Sequence, residues 1–234
     1  MANLTNIIKD VRILLDHNEQ EQQGIEIDNA LLGGDSQLYL DSIIENQVAA
    51  AARMVVMQSP RDYIDWKVLS AGAGDAGDAT KGVYVIPMPA DFLRFGAAKL
   101  VKWSRAVETY SSMDSDAYAM QQSEFGGVKA TKRKPVVIIG EKASGGNEIQ
   151  LYPYGGAEDG LQFFTYAAQI GVRIDTTNNN TKVVDINDTL YQPFIYMLGA
   201  LTAEVLKDTD KSNELIAAAK AMLTNPDEVV TTNQ

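Results

Sequence analysis

GVYVIPMPADFLR, residues 82–94, is the stretch at which this sequence changes from helical periodicity to strand-like patterning. The β-branched and aromatic residues from Val83 to Ile86 are typical of a strand. Pro87 and Pro89 end or bend that strand, because proline donates no backbone hydrogen bond. Residues 98–107 then alternate between apolar and polar side chains, which predicts a second strand with one exposed face. The middle of the chain is therefore predicted to be rich in β-structure.

Shorter elements are predicted on both sides of this stretch. Four further strands are indicated by β-branched and aromatic runs at residues 63–69, 135–139, 148–152 and 161–167. Residues 112–124 are predicted to form a short helix, which Gly126 and Gly127 would end. Two segments rich in small and polar residues, 70–82 and 173–185, are predicted to be long loops.

Amphipathic helices are predicted toward both ends of the chain. The clearest apolar face runs from Leu40 to Val56 at three-and-four spacing, and Pro60 stops that helix. The predicted helices span about 3–17, 36–58, 188–207 and 211–224. We expect one α+β domain over residues 1–234, with a helical-bundle core made by the terminal helices and a β-rich insertion over about 61–170. The polar residues 226–234 are predicted to be a flexible tail.

The composition removes most of the usual catalytic groups. The 234 residues include no cysteine and a single histidine, His17, so cysteine nucleophiles, thiolate metal sites and disulfides are excluded. His17 lies where the first predicted helix ends, and a solvated histidine near a helix terminus is its simplest interpretation. We therefore predict a protein that is not an enzyme, with no catalytic residues, no cofactor and no metal.

The charge and hydropathy of the chain also limit its partners. The net charge is −11 and the pI is about 4.5, and such an acidic chain repels the phosphate backbone of nucleic acids. No run of apolar residues is long enough to cross a membrane, and the first residues do not resemble a secretory signal. We expect a protein that is made in a cytoplasm and has no membrane partner.

Two motifs resemble ligand sites but lack a required part. Gly72, Gly74 and Gly77 have the spacing of a dinucleotide fingerprint, but the helix that must follow is replaced by a β-branched run. Asp208 and Asp210 begin like a calcium loop, but the glycine and the terminal glutamate of such a loop are missing. Both segments are interpreted as structural, the first as a flexible loop and the second as a helix cap.

One basic cluster stands out in the acidic sequence, and it comprises Lys129, Lys132, Arg133 and Lys134. A solvated loop is the simplest interpretation of these residues. Contact with an acidic neighbouring subunit is a second possibility, and contact with DNA is a weaker third.

Several motifs in the middle of the chain occur in a characteristic order. The first is a turn that contains Pro87, Pro89, Asp91, Phe92, Leu93 and Arg94, and it precedes a predicted strand with Trp103 and Arg105. A predicted helix with Tyr118, Gln121 and Gln122 follows, and then the strand end Leu151-Tyr152-Pro153. This ordered set resembles the head-to-tail adaptors, or connector rings, of short-tailed bacteriophages, and most of all the ring proteins of crAss-like phages.

The resemblance implies a structural virion protein at the portal-tail vertex, assembled in the cytoplasm of a bacterial host. It implies a helical-bundle core with a β-rich insertion, repeated as a twelve-fold ring around a channel for genome passage. The implied partners are further copies of the chain, the portal protein, and tail or second adaptor ring proteins, while DNA passes without specific binding. A carboxy-terminal segment would contact the portal, and here it comprises Asp227, Glu228, Val229, Val230, Thr231 and Thr232.

Two other functions are considered. The chain could be another phage tail component, such as a stopper, a tail hub or a minor capsid protein. It could instead be a small-molecule enzyme that uses carboxylates and tyrosines such as Asp91 and Tyr84, which would require a pocket where polar groups converge.

Overall fold

The computed structural model describes residues 1–15, 36–70, 72, 75–141, 146–177 and 180–224. The chain divides into two compact units. The flanking unit comprises Met1–Asp65 with Gln169–Gln234, and the central unit comprises Trp66–Ala168. The single domain expected over residues 1–234 stays a prediction.

The described residues form helices and strands whose bounds are as follows. The helices are α1 (Leu4–Leu14), α2 (Ser36–Gln58), α3 (Asp116–Gln122), α4 (Asp188–Val205) and α5 (Thr209–Leu223), with short 3-10 turns at Arg61–Tyr63 and Gly126–Val128. The strands are β1 (Ala2–Asn3), β2 (Lys67–Leu69), β3 (Ala76–Asp78), β4 (Val83–Pro87), β5 (Phe92–Leu100), β6 (Ser111–Ser112), β7 (Val136–Glu141), β8 (Asn147–Tyr152), β9 (Leu161–Ala168), β10 (Val172–Asp175) and β11 (Thr181–Val184). None of the described helices is long and apolar enough to cross a membrane.

Three helices of the flanking unit, α1, α4 and α5, begin at side-chain caps, and the helices of this unit pack around α4. Asn3 accepts a hydrogen bond from the Thr5 amide, and Asn187 accepts one from the Leu190 amide, each at 2.8 Å. These bonds satisfy amide groups that a helix start leaves unpaired. Helix α4 packs against α1, α2 and α5, and its buried residues include Phe194. Burial on several sides explains why α4 is apolar around much of its circumference.

The flanking unit also contains a sheet, which overturns the predicted fold class. Strands β1, β11 and β10 pair in that order, all antiparallel. The prediction of an α+β fold with a helical-bundle core is therefore wrong, because the chain is a mixed α/β structure in which the terminal helices share their unit with β-strands. The error comes from residues 173–185, which were predicted to be a loop. Two four-residue strands there are separated by an Asn-rich segment, in which Asn180 has a left-handed φ of 55°.

The central unit is built on two sheets. One has the strand order β2-β9-β5 and the other the order β3-β4-β8-β7-β6. Alternate side chains of both sheets are buried in one apolar cluster, which includes Ile86, Leu100, Trp103, Val137, Ile149, Leu151 and Phe164. The predicted loop 70–82 is also interrupted by structure, since β3 within it pairs with β4.

The strand predicted at residues 98–107 is displaced in the structure. Strand β5 begins six residues earlier, at Phe92, and ends at Leu100. The chain then turns, with the Trp103 amide donating to the Leu100 carbonyl at 3.1 Å, and Val107 pairs back on Ala98. The alternating pattern therefore covers the end of β5 and a short segment that returns antiparallel to it. The turn between them places Trp103 in the core.

Candidate functional site

The Pro-rich turn before β5 ties together the three strands of its sheet. The Phe92 amide donates to the Pro89 carbonyl at 3.0 Å, which closes the turn. The Asp91 carboxylate accepts a hydrogen bond from Lys67 Nζ at 2.6 Å and another from the Tyr166 hydroxyl at 3.0 Å. Because Lys67 lies on β2 and Tyr166 on β9, Asp91 links the start of β5 to both other strands of the sheet.

Hydrogen bonding and burial shift the pKa values of Asp91 and Tyr166 in opposite directions. The hydrogen bond from Lys67 lowers the pKa of Asp91. Burial raises the pKa of Tyr166, and its hydrogen bond to Asp91 raises it further. At neutral pH the carboxylate is therefore ionised and the phenol protonated, whereas a general acid or base works best with a pKa near the working pH. The arrangement suits a structural tie better than proton transfer.

Phe92 anchors the turn from its apolar side. Its ring stacks on that of Tyr166, with centroids 5.9 Å apart and planes 24° apart. It also lies 6.4 Å from the ring of the fully buried Phe164. Offset aromatic pairs of this kind add about 0.5–1.5 kcal/mol beyond the area that they bury. Asp91 and Phe92 thus fix the turn by polar and apolar contacts to the same strand, β9.

Trp103 connects the chain after β5 to the strand end Leu151-Tyr152-Pro153. The indole N–H donates a 2.8 Å hydrogen bond to the Pro153 carbonyl, and the side chain is buried. Next to it, the Asp159 carboxylate accepts hydrogen bonds from the Lys102 amide at 2.8 Å and the Gly155 amide at 2.9 Å. These bonds hold two segments together that are about fifty residues apart in the sequence.

Helix α3 contacts the same strand end. The side-chain amide of Gln122 donates through Nε2 to the Tyr152 hydroxyl at 3.4 Å, and that hydroxyl donates to Gln150 Oε1 at 2.7 Å. Gln121 is buried, donating to the Ala117 carbonyl at 3.0 Å and accepting from the Ala130 amide at 2.9 Å. The predicted turn, strand, helix and strand end are therefore brought together within the central unit.

Asp91 and Tyr84, the residues suggested for an enzyme, bond different partners. Asp91 is engaged by Lys67 and Tyr166, whereas the Tyr84 hydroxyl donates to a different carboxylate, Asp75, at 3.0 Å. Burial, together with the hydrogen bond to Asp75, raises the pKa of Tyr84 to about 12. A phenol with that pKa stays protonated at neutral pH and is a poor base.

The glycine-rich segment contacts two tyrosines of the central unit, Tyr84 through Asp75 and Tyr154 through Gly77. Asp75 accepts a hydrogen bond from the Gly72 amide at 3.0 Å, and the chain continues into β3 instead of a helix. A Cβ atom on Gly77 would lie 2.3 Å from the Tyr154 ring. Gly77 therefore serves close packing, and the segment lacks the helix that a dinucleotide site requires.

The remaining predicted residues are placed as follows. Pro87 and Arg105 are exposed, while Leu93 and Arg94 are half-buried on β5. Residues 227–232, proposed to contact the portal, and His17 lie outside the described residues. Over the described ranges, no group of three or more histidine, aspartate or glutamate side chains could hold a metal ion.

Asp159 is the residue whose importance the sequence analysis missed. Its side chain is fully buried and accepts hydrogen bonds from two backbone amides. The available signal was the Asp159-Gly160 pair immediately before a strand, because aspartate in such turns bonds nearby backbone amides.

No protein-family model matches the sequence, and no curated protein matches it significantly. The resemblance to phage adaptors therefore stays a prediction.

Proposed function

We propose that this chain is a structural virion protein of a short-tailed bacteriophage, forming a ring between the portal and the tail around a channel for genome passage. One observation carries the proposal. The separate parts of the adaptor-like pattern, spread over residues 87–153, lie in one connected unit. Asp91 bonds β9, Trp103 bonds Pro153, and Gln122 bonds Tyr152. Trp103 and Gln122 thus both contact the same strand end, whereas Asp91 bonds residues outside the pattern. Contacts between ordered motifs are less readily explained by chance than the motifs alone.

The acid-base properties of the unit support a mechanical role over a catalytic one. The pKa of Asp91 is lowered, and those of Tyr84, Tyr152 and Tyr166 are raised. All four shifts move away from neutrality, so they stabilise fixed protonation states. Active sites usually show the opposite arrangement, with at least one group tuned toward the working pH.

The support comes from the central unit alone. The flanking unit lacks the helical-bundle core that the resemblance implied, so its fold lends the proposal no support. The proposed partners are further copies of the chain, the portal protein, and tail or second adaptor ring proteins at the portal-tail vertex. A closed ring requires heterologous contacts, in which one surface of each copy meets a different surface of the next.

Native mass spectrometry of the purified full chain tests the proposal. The chain is measured alone and mixed with the portal protein encoded by the same genome. We expect a closed ring, predicted to contain twelve copies, that forms either alone or in the presence of the portal protein. We also expect this ring to bind the portal protein. A chain that stays monomeric in both samples would contradict the proposal. Binding to a tail hub or capsid protein instead of the portal would favour the other structural roles.

A further inference from the structure

Strand β10 lies at the edge of the three-stranded sheet in the flanking unit and carries an exposed isoleucine. In the strand order β1-β11-β10, it pairs with β11 and with no other described strand. Ile174, which lies within β10, is 58% exposed. An edge strand presents backbone N–H and C=O groups on which another strand can pair, and an exposed apolar residue favours that pairing. The edge of β10 is therefore a place where a further strand can add to the sheet.

Ile174 lies on the same face of the sheet as a fully buried valine. In the antiparallel register Ile174 is opposite Lys182, and Val184 is two residues further along β11. Residues that are opposite each other, or two apart on one strand, point to the same face, so these three side chains share one face. Val184 is fully buried, and Lys182 Nζ lies 2.6 Å from Glu45 Oε1 on α2. This face of the sheet therefore turns toward the helices, and at Ile174 it extends beyond their cover.

Two opposite charges flank Ile174 on the other face of β10. Arg173 donates hydrogen bonds to both carboxylate oxygens of Asp185, through Nε and Nη2. Asp175 accepts hydrogen bonds from the Thr177 amide at 3.0 Å and from the Thr177 hydroxyl at 2.6 Å. These bonds orient both side chains. They also leave binding capacity, because a guanidinium has further N–H donors and a carboxylate has further lone pairs.

We infer that β10 pairs antiparallel with β10 of a second copy of this chain, about a two-fold axis between the two Ile174 residues. This register places Arg173 of each copy opposite Asp175 of the other. Registers centred on Arg173 or on Asp175 would instead place two like charges opposite each other, which destabilises a cross-strand pair. The charges of β10 therefore favour one register, in which both exposed isoleucines bury each other.

A second copy suits this edge because β10 is complementary to itself. The sequence Val172-Arg173-Ile174-Asp175 supplies one apolar residue for the two-fold axis and one charge of each sign at equal distances from it. A strand of unrelated sequence would have to provide an acidic and a basic residue at those same two positions. The pairing joins two three-stranded sheets into one sheet that continues across both copies.

The inference goes beyond the proposed ring and does not rest on it. The contact is isologous, since the same strand lies on both sides, whereas ring closure uses heterologous contacts. It concerns the purified chain without the portal protein. Because a contact between two four-residue strands is small, we expect weak association that depends on protein concentration. Failure of the tests below would overturn this contact and leave the ring proposal as it stands.

A single introduced cysteine tests the register. The chain contains no cysteine, so Ile174→Cys can form a disulfide only between two copies. Opposite residues of an antiparallel pair have Cα atoms about 4.5–5.5 Å apart, which a disulfide can span. Val68→Cys is the matched control, because Val68 is 68% exposed on β2, which is also an edge strand. Under mild oxidation Ile174→Cys should form the dimer at least about tenfold faster than the control, because pairing holds its thiols close together. Equal rates would overturn the inference.

Complementary charge variants test the same contact without a cysteine. Arg173→Glu alone places two carboxylates opposite each other at the two-fold contact, and Asp175→Lys alone places two cations there. Each variant should associate at least about tenfold more weakly than the wild type in sedimentation equilibrium. An equimolar mixture of the two should recover the association, because every cross-strand pair then joins opposite charges. Circular dichroism verifies folding, and two folded variants that do not recover on mixing would contradict the inference.

Hydrogen exchange distinguishes a second copy from another occupant of the edge. The amides of β10 that point away from β11 should exchange more slowly at high protein concentration than at low concentration, because pairing between copies protects them. Slow exchange at both concentrations in a monomeric chain would show that another segment of the same chain covers the edge. That result would overturn the inference, and so would fast exchange at both concentrations.

Discussion

The indole N–H of Trp103 lies 2.8 Å from the carbonyl oxygen of Pro153 and donates a hydrogen bond to it. Trp103 follows β5 and Pro153 follows β8, so this bond joins the ends of strands from the two different sheets of the central unit. It is also the point at which two separate parts of the adaptor-like pattern meet. The stability of the central unit should therefore depend on it.

Replacement of this tryptophan by phenylalanine keeps a large apolar ring but removes the donor. We expect Trp103→Phe to lower the free energy of unfolding by about 1–3 kcal/mol, since the half-buried Pro153 carbonyl loses its partner. Urea denaturation followed by circular dichroism measures the change. Tyr110→Phe is the control, because the Tyr110 side chain is 55% exposed, and its effect should stay within about 0.5 kcal/mol. Equal stabilities of the two variants would show that the Trp103 bond has no energetic role.

The ion pair at Asp91 gives a pH-dependent contribution to stability. The pKa of Asp91 in the folded state lies below the ordinary value of 3.8. The contribution to stability is therefore present above pH 3.8 and is lost as the pH falls through the folded-state pKa. Because the side chains of Asp91 and Lys67 are 40% and 56% exposed, Asp91→Asn should cost only about 0–1 kcal/mol at pH 7. Urea denaturation at pH 7 and pH 3 should show the difference between variant and wild type shrinking at the lower pH. A difference that grows on acidification would contradict this assignment.

Gly96 lies where β5 has an irregular register with β9, and there is no room for a side chain. A Cβ atom there would lie 2.5 Å from Thr165 Oγ1, 2.9 Å from the Thr165 carbonyl oxygen and 2.7 Å from the Trp66 ring. Part of this clash is with backbone, so rotation of a side chain cannot relieve it. We expect Gly96→Ala to destabilise the protein by about 1–3 kcal/mol in thermal or urea unfolding.

Gly160 provides the matched control for that substitution. A Cβ atom at Gly160 meets nothing within 4 Å, so Gly160→Ala should be close to neutral. Comparable losses in the two variants would indicate that the β5 irregularity does not depend on a glycine.

Buried tyrosines should make the protein sensitive to alkali. Burial is the main cause that raises the pKa values of Tyr84 and Tyr152 to about 12, from an ordinary value of 10.0. The unfolded chain therefore loses these protons first, and stability should be full below pH 10 and fall as the pH rises toward 12. Absorbance at the tyrosinate band gives the titration, and Tyr84→Phe should remove one late-titrating phenol. Complete tyrosine ionisation around pH 10 in the folded protein would refute the burial of these hydroxyl groups.

Much of the secondary structure follows from local sequence patterns. Helix α2 is encoded by a long apolar face and a proline stop, and β4, β7, β8 and β9 lie where β-branched and aromatic runs were found. These signals are strong because each element buries one continuous face. The hairpin of β10 and β11 could not be recognised in the same way. Its strands have four residues each, and the sequence between them has the composition of a loop.

The contacts of the candidate site were less accessible to prediction than its motif residues. The turn residues Asp91 and Phe92 were identified, but their partner Tyr166 was not, since it lies about seventy-five residues away and is placed by strand register. Trp103 and Pro153 were likewise identified separately without their hydrogen bond. Long-range pairs of this kind depend on the sheet topology, which a single sequence does not encode locally.

Electron cryomicroscopy of intact virions tests the proposed ring at the portal-tail vertex most directly. We expect a ring of density between portal and tail into which the central unit fits, with several copies around an open channel. Virions that contain no copy of this chain, or contain it at another position only, would contradict the proposal.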